Sequence, residues 1–363
     1  MSLMQRNWDI FCRVIDNFGD IGVCWRLARQ LVCEHGLAVR LWVDQPPTLA
    51  IMCPALQLPL VAQNIDGVEI RYWPTDFPEV SVADVVIEAF ACALPERYIS
   101  AMAVVEHPAT WINLEYLTAE SWADSCHGLA SPHPRYRLTK QFFFPSFTDS
   151  ARGLLREHDL IQARDRFQAQ LPPRDGLEIS LFCYQSAPVG ALIALLAQSP
   201  TPIRCFVPPG QPLAAVTAHL VGRGPWQLGL LEITPIPFLP AAEFDQLLWR
   251  CDLNFVRGED SLVRAIWAGQ PMIWQIYEQA DETHLVKLQA FLERHTDAMP
   301  AAVAAAIKAM FLAWNTGQGM EAAWGAFIGL RTEIAEQQKI WSQKRVDRND
   351  LAANLVKFCA KGL

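Results

Sequence analysis

The sequence predicts an α/β protein built from two doubly wound domains, each with a mainly parallel sheet and helices on both faces. Short apolar strands alternate with helical segments through the first half of the chain, and the same alternation restarts in the second half. The chain has 363 residues, of which 52% are hydrophobic, so each half can bury a core of its own. We expect the two domains to face a central cleft, with ligands beyond the carboxyl ends of the strands.

The first half begins with a strand candidate at 9–15, which is followed by a loop and a helix from about 21 to 34. Further short buried strands are predicted at 38–43, 68–73, 84–88 and 110–114. A charged helical stretch at 150–170 then ends at Pro172 and Pro173. Because consecutive prolines interrupt a helix, we place the domain boundary there, which gives a first domain over 1–173.

The second half, over 174–339, repeats this pattern of strands and helices. Leu247, Leu248 and Trp249 are interpreted as the buried approach to a strand. We expect helices from about 284 onward, with the last segment, 340–363, packing back on the first domain. The strands are predicted at 177–184, 203–207, 230–233, 252–256 and 271–274, with a helix at 189–197.

Charge and composition exclude several classes of protein. The net charge of −8 disfavours a nucleic-acid scaffold. The ten cysteines form no CxxC pair and the N-terminus shows no signal peptide, which indicates reduced thiols in a cytoplasmic protein. The apolar run at 301–314 contains Lys308 and is too short to span a membrane. We therefore expect a monomer in the cytoplasm with neither a nucleic-acid nor a membrane partner.

One short polar segment separates an apolar strand from an apolar helix. It consists of Arg257, Gly258, Glu259, Asp260 and Ser261. The glycine permits a turn, and Asp260 or Ser261 is predicted to cap the helix. An arginine beside a helix N-terminus suits a phosphate, whereas the two carboxylates suit hydroxyl groups, so the segment predicts a nucleotide-sugar site. The alternative is a surface loop with a cap and a local ion pair. We favour the site because the segment ends a buried strand.

Aromatic residues cluster near other strand ends of the second half. Phe182 and Tyr184 end one strand, and Phe238 and Phe244 flank a segment with prolines at 235, 237 and 240. These prolines predict an extended loop, which beside aromatic rings can hold a flat nucleobase. Core packing is the alternative for any aromatic side chain. Tyr277 and Glu278 follow the last predicted strand and lie where a sugar hydroxyl would be reached.

The first strand leads into a turn that contains Asp16, Asn17, Gly19, Asp20 and Gly22. This turn does not match G-x-G-x-x-G, and its carboxylates would repel a pyrophosphate, so we reject dinucleotide binding. The carboxylates suit binding and polarising a nucleophile, although one of them could instead cap a helix.

Polar residues also end two other strands of the first half. Asn113, Glu115 and Tyr116 follow one strand and suit the acceptor side, and Glu88 has a similar place with a structural alternative. The eight histidines show no HExxH or other ligand spacing, so we predict neither a metal site nor a cofactor.

Five segments in order along nearly the whole chain resemble one family. They are VIDNFGDIGVCWRLARQL, DVVIEAFAC, NLEYLTAESW, PFLPAAEFDQLLW and NFVRGEDSLVRAIWAGQP. The chain resembles the bacterial protein-arginine rhamnosyltransferases that act on elongation factor P, the EarP family. The resemblance implies a GT-B glycosyltransferase fold of two Rossmann-like domains. It also implies an inverting, metal-independent transfer of L-rhamnose from dTDP-β-L-rhamnose to an arginine of elongation factor P.

The resemblance also implies roles for the motif residues. Asp20 would be the general base, with Asp16 beside it binding the acceptor guanidinium. The acceptor would lie on the first domain, near Asn17, Gly19, Glu115 and Tyr116. The donor would lie on the second domain, with Glu259 among the catalytic groups and Tyr277 near the phosphates. The residues expected to surround the thymidine, or to hold the diphosphate and sugar, are Phe182, Tyr184, Phe238, Phe244, Arg257, Asp260 and Ser261.

Six positions depart from the family pattern: Ala241 replaces a glutamine, Gln275 and Glu278 differ from the usual H-I-Y-P sequence, and Ser146, Ala151 and Arg152 stand where a glycine-rich turn is usual. They concern fine donor contacts, whereas both acidic motifs are intact. The alternatives are another nucleotide-sugar enzyme of the same fold, such as an epimerase or a small-molecule transferase, and a non-catalytic module that binds a nucleotide-sugar.

Overall fold

The computed structural model describes residues 6–15, 18–147 and 153–361, and the chain divides into two compact units. Unit 1 comprises Met1–His158 together with Arg348–Leu363, and unit 2 comprises Asp159–Asp347. The division falls at His158, earlier than the boundary that we predicted at 173. The C-terminal segment belongs to unit 1, and it begins at Arg348 rather than at 340.

Strands and helices alternate through both units. The strands are β1 (Asn7–Cys12), β2 (Ala38–Val43), β3 (Ala62–Ile65), β4 (Val68–Tyr72), β5 (Val85–Ala89), β6 (Thr110–Leu114), β7 (Ala130–Pro132), β8 (Thr139–Phe143), β9 (Leu177–Leu181), β10 (Ile203–Val207), β11 (Trp226–Leu228), β12 (Leu231–Pro235), β13 (Leu253–Arg257) and β14 (Met272–Gln275). The helices are α1 (Gly19–His35), α2 (Pro46–Met52), α3 (Glu96–Met102), α4 (Trp122–Cys126), α5 (Leu160–Ala169), α6 (Val189–Ala197), α7 (Gln211–Thr217), α8 (Ala241–Arg250), α9 (Gly258–Ala268), α10 (Thr283–Thr296), α11 (Ala301–Thr316), α12 (Met320–Gly329), α13 (Arg331–Val346) and α14 (Leu351–Lys361).

Unit 1 contains an eight-stranded sheet in the order β3-β4-β2-β1-β5-β6-β8-β7. The six central strands are parallel, and the short strands β3 and β7 pair antiparallel at the two edges. The chain leaves β1 toward β2 on one side, while β5 lies on the other side of β1. Such a reversal of strand order opens a crevice at the carboxyl ends of β1 and β5, where ligands of doubly wound sheets bind.

One aromatic group anchors the core of unit 1 beneath this sheet. Phe11 of β1 is fully buried and stacks on Trp42 of β2 at a ring-centre distance of 5.8 Å. Trp73 and Tyr98 meet Phe11 edge-on at 5.4 Å and 4.9 Å. Large rings in edge and offset contact fill the space between the strands and helix α3. The core therefore fixes the strand from which the acidic turn begins.

The predicted helix at 150–170 is wrong in its first half, because helix α5 begins only at Leu160. Residues 153–157 have no helical structure. Gly153 has a φ of +75°, and a Cβ there would lie within 2.5 Å of the Asn349 carbonyl oxygen. The Leu154 carbonyl then accepts the Leu351 N–H at 3.0 Å, which joins this stretch to the start of α14. Of the charged residues that suggested a helix, Arg156 Nη2 donates to the Arg348 carbonyl at 3.1 Å, and Glu157 pairs with Arg26 of α1.

Unit 2 contains a six-stranded sheet in the order β11-β12-β10-β9-β13-β14, in which only the edge strand β11 is antiparallel. The order reverses between β9 and β13, so the carboxyl ends of these two strands form the crevice of this unit. The prediction of two α/β units with mainly parallel sheets is thus confirmed. Across the described ranges, no helix combines the length and the apolar character that a membrane span requires.

The residues Leu247, Leu248 and Trp249 lie in helix α8 and not in a strand approach, which corrects the sequence prediction. Only Leu248 and Trp249 of these three are buried, because α8 turns one apolar face to the sheet. The proline-rich segment is extended only as far as Pro240, which is the N-cap of α8. Phe244 is therefore a helical residue, and the apolar run had concealed a helical period of 3.6.

Candidate functional site

The crevice of unit 2 holds a buried arginine at its edge. Arg257 is the last residue of β13 and is 7% exposed. Its Nη1 atom has no hydrogen-bond partner within the part of the chain that the structure describes. Burial of a cationic nitrogen without a partner costs free energy, because its hydrogen bonds to water are lost and no hydrogen bond within the protein replaces them. The position is therefore suited to an anion that completes the pairing.

Aromatic rings surround this guanidinium. The Arg257 Cζ atom lies 4.8 Å from the ring centre of Phe182 and 4.5 Å from that of Tyr184. Phe244 meets Phe182 edge-on at 5.6 Å, and Tyr277 meets Tyr184 edge-on at 5.7 Å. We call these five residues the Arg257 cluster. The rings of Phe182, Phe244 and Tyr277 are partly exposed to solvent. The cluster therefore offers accessible apolar faces next to a cation that is held by cation–π contacts.

Helix α9 begins at the Arg257 cluster. Its N-cap is Arg257 itself, with no side-chain cap hydrogen bond, so the prediction that Asp260 or Ser261 caps this helix is wrong. Gly258 has a φ of +65°, a left-handed conformation that favours glycine and lets the chain turn from strand to helix at once. Glu259 lies in the first turn of α9 and Ser261 lies next to that turn, and both residues are half-buried. A helix N-terminus that is adjacent to a buried arginine attracts phosphate groups.

Asp260 has a partner that the sequence analysis did not foresee. Its Oδ2 accepts a hydrogen bond from Arg264 Nε at 2.7 Å, one helical turn along α9. Arg264 Nη1 also donates to Asp245 of helix α8 at 2.8 Å. All three side chains are buried. Arg264 thus fastens α9 to α8 while it also bonds Asp260, and the predicted contact of Asp260 with a donor stays a prediction.

Two other residues that were predicted for the donor lie at the margin. Phe238 is half-buried in the extended segment before α8, and Tyr277 is 54% exposed after β14. Glu278, a departure from the family pattern, is exposed. Gln275, another departure, is 5% exposed, and its Oε1 accepts the Tyr184 N–H at 2.7 Å. Gln275 therefore joins the end of β14 to the end of β9, a contact that no local pattern predicted.

Asp20 lies in the first turn of α1, at the crevice of unit 1, and is 2% exposed. Its Oδ2 accepts the Ile15 N–H at 2.8 Å, and its Oδ1 accepts the Tyr116 hydroxyl hydrogen at 3.1 Å. The helix N-cap is Phe18, with no side-chain cap bond, so Asp20 does not cap α1 from outside. The two bonds orient the carboxylate, and such a group can accept a proton from a bound nucleophile.

Tyr116 rests on a strained loop. Its ring stacks on Phe90 with centres 4.4 Å apart and an interplanar angle of 14°. Phe90, Ala91 and Ala93 have φ values of 56°, 52° and 56°, a left-handed region that non-glycine residues rarely adopt. Strain of this kind persists where the surroundings impose it, often beside functional sites. Phe90 was not among the predicted site residues, although its position directly after β5 was a signal for it.

Glu115 is half-buried beside Tyr116, and burial raises the pKa of its carboxyl group. Asn113 Nδ2 donates a hydrogen bond to Glu115 Oε1, while Asn113 Oδ1 has no partner among the residues described. Glu88 accepts bonds from Lys140 at 3.1 Å and Trp111 Nε1 at 3.1 Å. This pairing favours the structural alternative for Glu88 and leaves Glu115 as the polar group at the acceptor edge.

Asp16 and Asn17 lie outside the described residues. Gly19 is the first residue of α1 and is half-buried. Within 6–15, 18–147 and 153–361, no group of three or more His, Cys, Asp or Glu is placed to hold a metal ion. The predicted residues therefore fall into two sets, one at each crevice: Asp20, Glu115 and Tyr116 in unit 1, and the Arg257 cluster in unit 2.

Curated relatives match the chain over almost its whole length. A protein-arginine rhamnosyltransferase of Pseudomonas putida is 44% identical over 379 residues, covering 99% of this chain and 100% of the relative. Its counterpart in Pseudomonas aeruginosa is 45% identical over 375 residues, with 98% and 100% coverage. One from Shewanella oneidensis is 37% identical and covers 98% of each chain.

Solved structures support the same fold. A structure that concerns EarP-mediated arginine glycosylation of translation elongation factor EF-P has a TM-score of 0.68 and 33% identity, and covers 99% of this chain and all of that one. A UDP-glucosyltransferase from Polygonum tinctorium has a TM-score of 0.52, and the spinosyn forosaminyltransferase SpnP has 0.51, each at 10% identity. These two cover 99% and 98% of this chain, and 99% and 100% of their own. At that identity they show the fold alone, which is the GT-B fold of two Rossmann-like domains, as the sequence predicted.

The family model for the elongation-factor P (EF-P) rhamnosyltransferase EarP matches residues 8–360. This range includes both crevices and every described residue that was predicted for the site. Together with curated relatives above 40% identity, the match establishes that the chain belongs to the EarP family of protein-arginine rhamnosyltransferases, and that it is a glycosyltransferase.

Proposed function

We propose that this protein transfers L-rhamnose from dTDP-β-L-rhamnose to an arginine side chain of translation elongation factor P, with inversion and without a metal ion. The observation that carries the proposal is the buried, unpartnered Nη1 of Arg257 at the N-terminus of α9. It supplies positive charge where a nucleoside diphosphate would leave. The relatives act on protein arginine, as their names state, and the family is named for elongation factor P.

The Arg257 cluster suits the donor in two respects. Its rings, with Phe238 nearby in sequence, offer flat apolar faces for a thymine base, while the guanidinium and the N–H groups of α9 meet the diphosphate. Glu259 and Ser261 supply acceptors and a donor for sugar hydroxyls. As the sugar bond breaks, negative charge grows on the diphosphate, and fixed positive groups stabilise it without a metal.

Asp20 suits the acceptor. A guanidinium has a pKa of about 12.5 or higher and is a poor nucleophile because its charge is delocalised. Two carboxylates, those of Asp20 and Asp16, bind one edge of it, localise charge on the far nitrogens and free the near one to attack. Asp20 then accepts the proton as the new bond to the anomeric carbon forms. Tyr116 and Glu115 lie beside it on the acceptor side.

Inversion follows from a single displacement. The arginine nitrogen attacks the anomeric carbon from the face opposite the diphosphate, so a β-configured donor gives an α-configured product. One bond forms, one bond breaks, and the proton passes to Asp20 while dTDP leaves. Because the acceptor is a translation factor, the reaction belongs in the cytoplasm. We propose that the protein acts there as a monomer.

The test is intact-protein mass spectrometry of unmodified elongation factor P after incubation with this protein and dTDP-β-L-rhamnose. We expect a gain of one deoxyhexose, mapped by fragmentation to one arginine, and an α linkage by NMR. The same gain in excess EDTA would support the metal-independent step, and its loss would contradict that step. Donor incubated without acceptor distinguishes an epimerase, which would convert the sugar alone. No gain from a protein that binds dTDP would refute the proposed reaction.

A further inference from the structure

The carboxyl end of β14 is held by one side chain from a distant helix. Asn315, in the last turn of α11, accepts the Ile276 N–H at 3.0 Å through Oδ1 and donates from Nδ2 to the Trp274 carbonyl at 2.9 Å. These two bonds bracket Gln275. The second hydrogen of Nδ2 bonds the Phe311 carbonyl at 2.8 Å, one turn earlier in α11. Both N–H donors of the amide are therefore used, and the bond to its own helix fixes the direction of the side chain.

The segment that Asn315 holds makes two contacts with the Arg257 cluster and its turn. Gln275 accepts the Tyr184 N–H at 2.7 Å, and the strand register places Gln275 beside Arg257. The Trp274 indole Nε1–H donates to the Gly258 carbonyl at 2.9 Å, so it pins the left-handed turn from which α9 begins. Tyr277, which packs on Tyr184, follows directly. Through this segment, the Asn315 amide supports both the aromatic rings of the cluster and the Gly258 turn from which α9 begins.

We propose that Asn315 is a positioning residue for the nucleotide-sugar, acting through Trp274 and Gln275 on the Gly258 turn and on Tyr184. This inference rests on the proposed function, because it assigns Asn315 to the donor site named there. Among the described residues, Asn315 forms its hydrogen bonds with Trp274, Ile276 and Phe311 and none with the Arg257 cluster itself. Its effect is to keep the N–H groups of α9 and the ring of Tyr184 in register with Arg257, so that the free protein needs no rearrangement to bind the diphosphate.

The experiment measures dTDP affinity by calorimetry for Asn315→Ala, Trp274→Phe and the control Thr316→Ala. Thr316 ends the same helix, is exposed, and bonds its own Leu312 carbonyl without reaching β14. We expect Asn315→Ala to raise the Kd of dTDP about tenfold, the ratio that corresponds to loss of one to two hydrogen bonds. Trp274→Phe removes the indole N–H together with part of the ring, and it should raise the Kd about threefold to tenfold. Thr316→Ala should match the unsubstituted protein.

A purely structural role would leave a different pattern. In kinetics with elongation factor P, positioning predicts a higher KM for the sugar donor and an unchanged KM for the acceptor. General destabilisation would lower the active fraction and the melting temperature with the donor KM unchanged. Equal dTDP affinity in folded Asn315→Ala and Trp274→Phe would overturn the inference. If Asn315→Ala fails to fold, the affinity of Trp274→Phe decides alone. Failure of the unsubstituted protein to bind dTDP would instead overturn the proposed function, and this inference with it.

Discussion

Arg257 and Arg264 are both more than nine-tenths buried, yet their surroundings differ. Arg264 is neutralised by Asp260 and Asp245, each within 2.8 Å. Arg257 instead faces two aromatic rings and has an Nη1 without a partner among the described residues. A buried charge is tolerated when it is paired, so the fold itself explains Arg264. Arg257 is explained by a ligand that would pair with it. This contrast is why we assign the anion site to Arg257.

Replacing Arg257 by alanine tests that assignment at the residue itself. We expect Arg257→Ala to weaken dTDP binding by about 1.5–3 kcal/mol, the range for a hydrogen bond to a charged group. Calorimetry with dTDP is the measurement. The matched control is Arg223→Ala, which removes the same charge from an exposed position of unit 2 and should leave the affinity unchanged. An unaltered Kd for Arg257→Ala would place the diphosphate elsewhere.

Asp20 should separate chemistry from donor binding. Asp20→Asn keeps the size of the side chain and can still accept the Ile15 N–H, but it no longer takes up the proton of the nucleophile. We expect turnover of elongation factor P to fall by about a hundredfold or more, the usual effect of losing a general base, while the Kd of dTDP is preserved. Tyr116→Phe removes one hydrogen bond to Asp20 and should reduce turnover less. A loss of dTDP affinity in Asp20→Asn would assign Asp20 to the donor.

Helices α8 and α9 are joined by the buried charges of Asp245, Arg264 and Asp260. Removing the arginine alone would leave two buried carboxylates with no cation between them. We expect Arg264→Met to lower the free energy of unfolding by about 3–5 kcal/mol, measured by urea denaturation. Adding Asp245→Asn and Asp260→Asn to that variant should recover part of the loss, because no charge then remains unpaired. Arg166→Met, on the exposed side of α5, is the control. Equal stability of Arg264→Met and the unsubstituted protein would contradict this account.

The elements that the sequence predicted best are those with a single strong local signal. The strands β2, β5 and β6 lie within one residue of the predicted ranges 38–43, 84–88 and 110–114, because a short, mainly apolar run between turns has few alternatives. Helix α8 was mistaken for the approach to a strand. The helical spacing of its buried residues is recognisable only over a longer stretch of sequence than the three apolar residues considered. The edge strands β3, β7 and β11 were missed because each is short and gains its strand conformation from a neighbour.

The candidate site was predictable where its residues end strands and unpredictable where distant segments meet. Arg257 ends β13, and Phe182 and Tyr184 follow β9. The rule that ligands of doubly wound sheets bind at the carboxyl ends of the strands was therefore enough to bring these residues together. Nothing local connects Asn315 with Trp274, or Phe90 with Tyr116. Each of those pairs depends on packing between segments that are far apart in the chain, and a single sequence carries no record of such contacts.

At the scale of the whole molecule, the chain is divided into units that each have their own sheet and core. The C-terminal segment from Arg348 returns to unit 1, where α14 contributes Phe358 to the rings of His127 and Phe143. The two consecutive prolines mark the end of α5 but not the boundary between the units, because α5 belongs to unit 2 and packs within it. Arg164 of α5 donates to the Trp267 carbonyl of α9 at 2.8 Å. Tertiary packing, not local composition, therefore decides which unit takes the linking helix.

The stability of the whole protein should depend on pH through His295. This side chain is fully buried among the C-terminal helices, where burial lowers its pKa to about 4; the hydrogen bond with Gln338 opposes the shift, and Arg345 adds to it. In the unfolded chain the pKa returns to about 6.5, so between pH 6.5 and pH 4 the unfolded state binds more protons. The contribution of His295 to stability is thus complete above pH 6.5 and is lost as the pH falls toward 4.

We expect the free energy of unfolding to decline by about 2 kcal/mol from this group between pH 7.5 and pH 5, which follows from the two pKa values. The measurement is urea denaturation at several pH values for the unsubstituted protein and for His295→Gln, which cannot titrate. Carboxylates contribute equally to both curves, so the difference between the curves isolates His295. That difference should shrink as the pH falls below 6.5 and stay constant from pH 7.5 to 8.5. Parallel curves through the acidic range would show that the pKa of His295 is the same in the folded and unfolded chains, contrary to its burial.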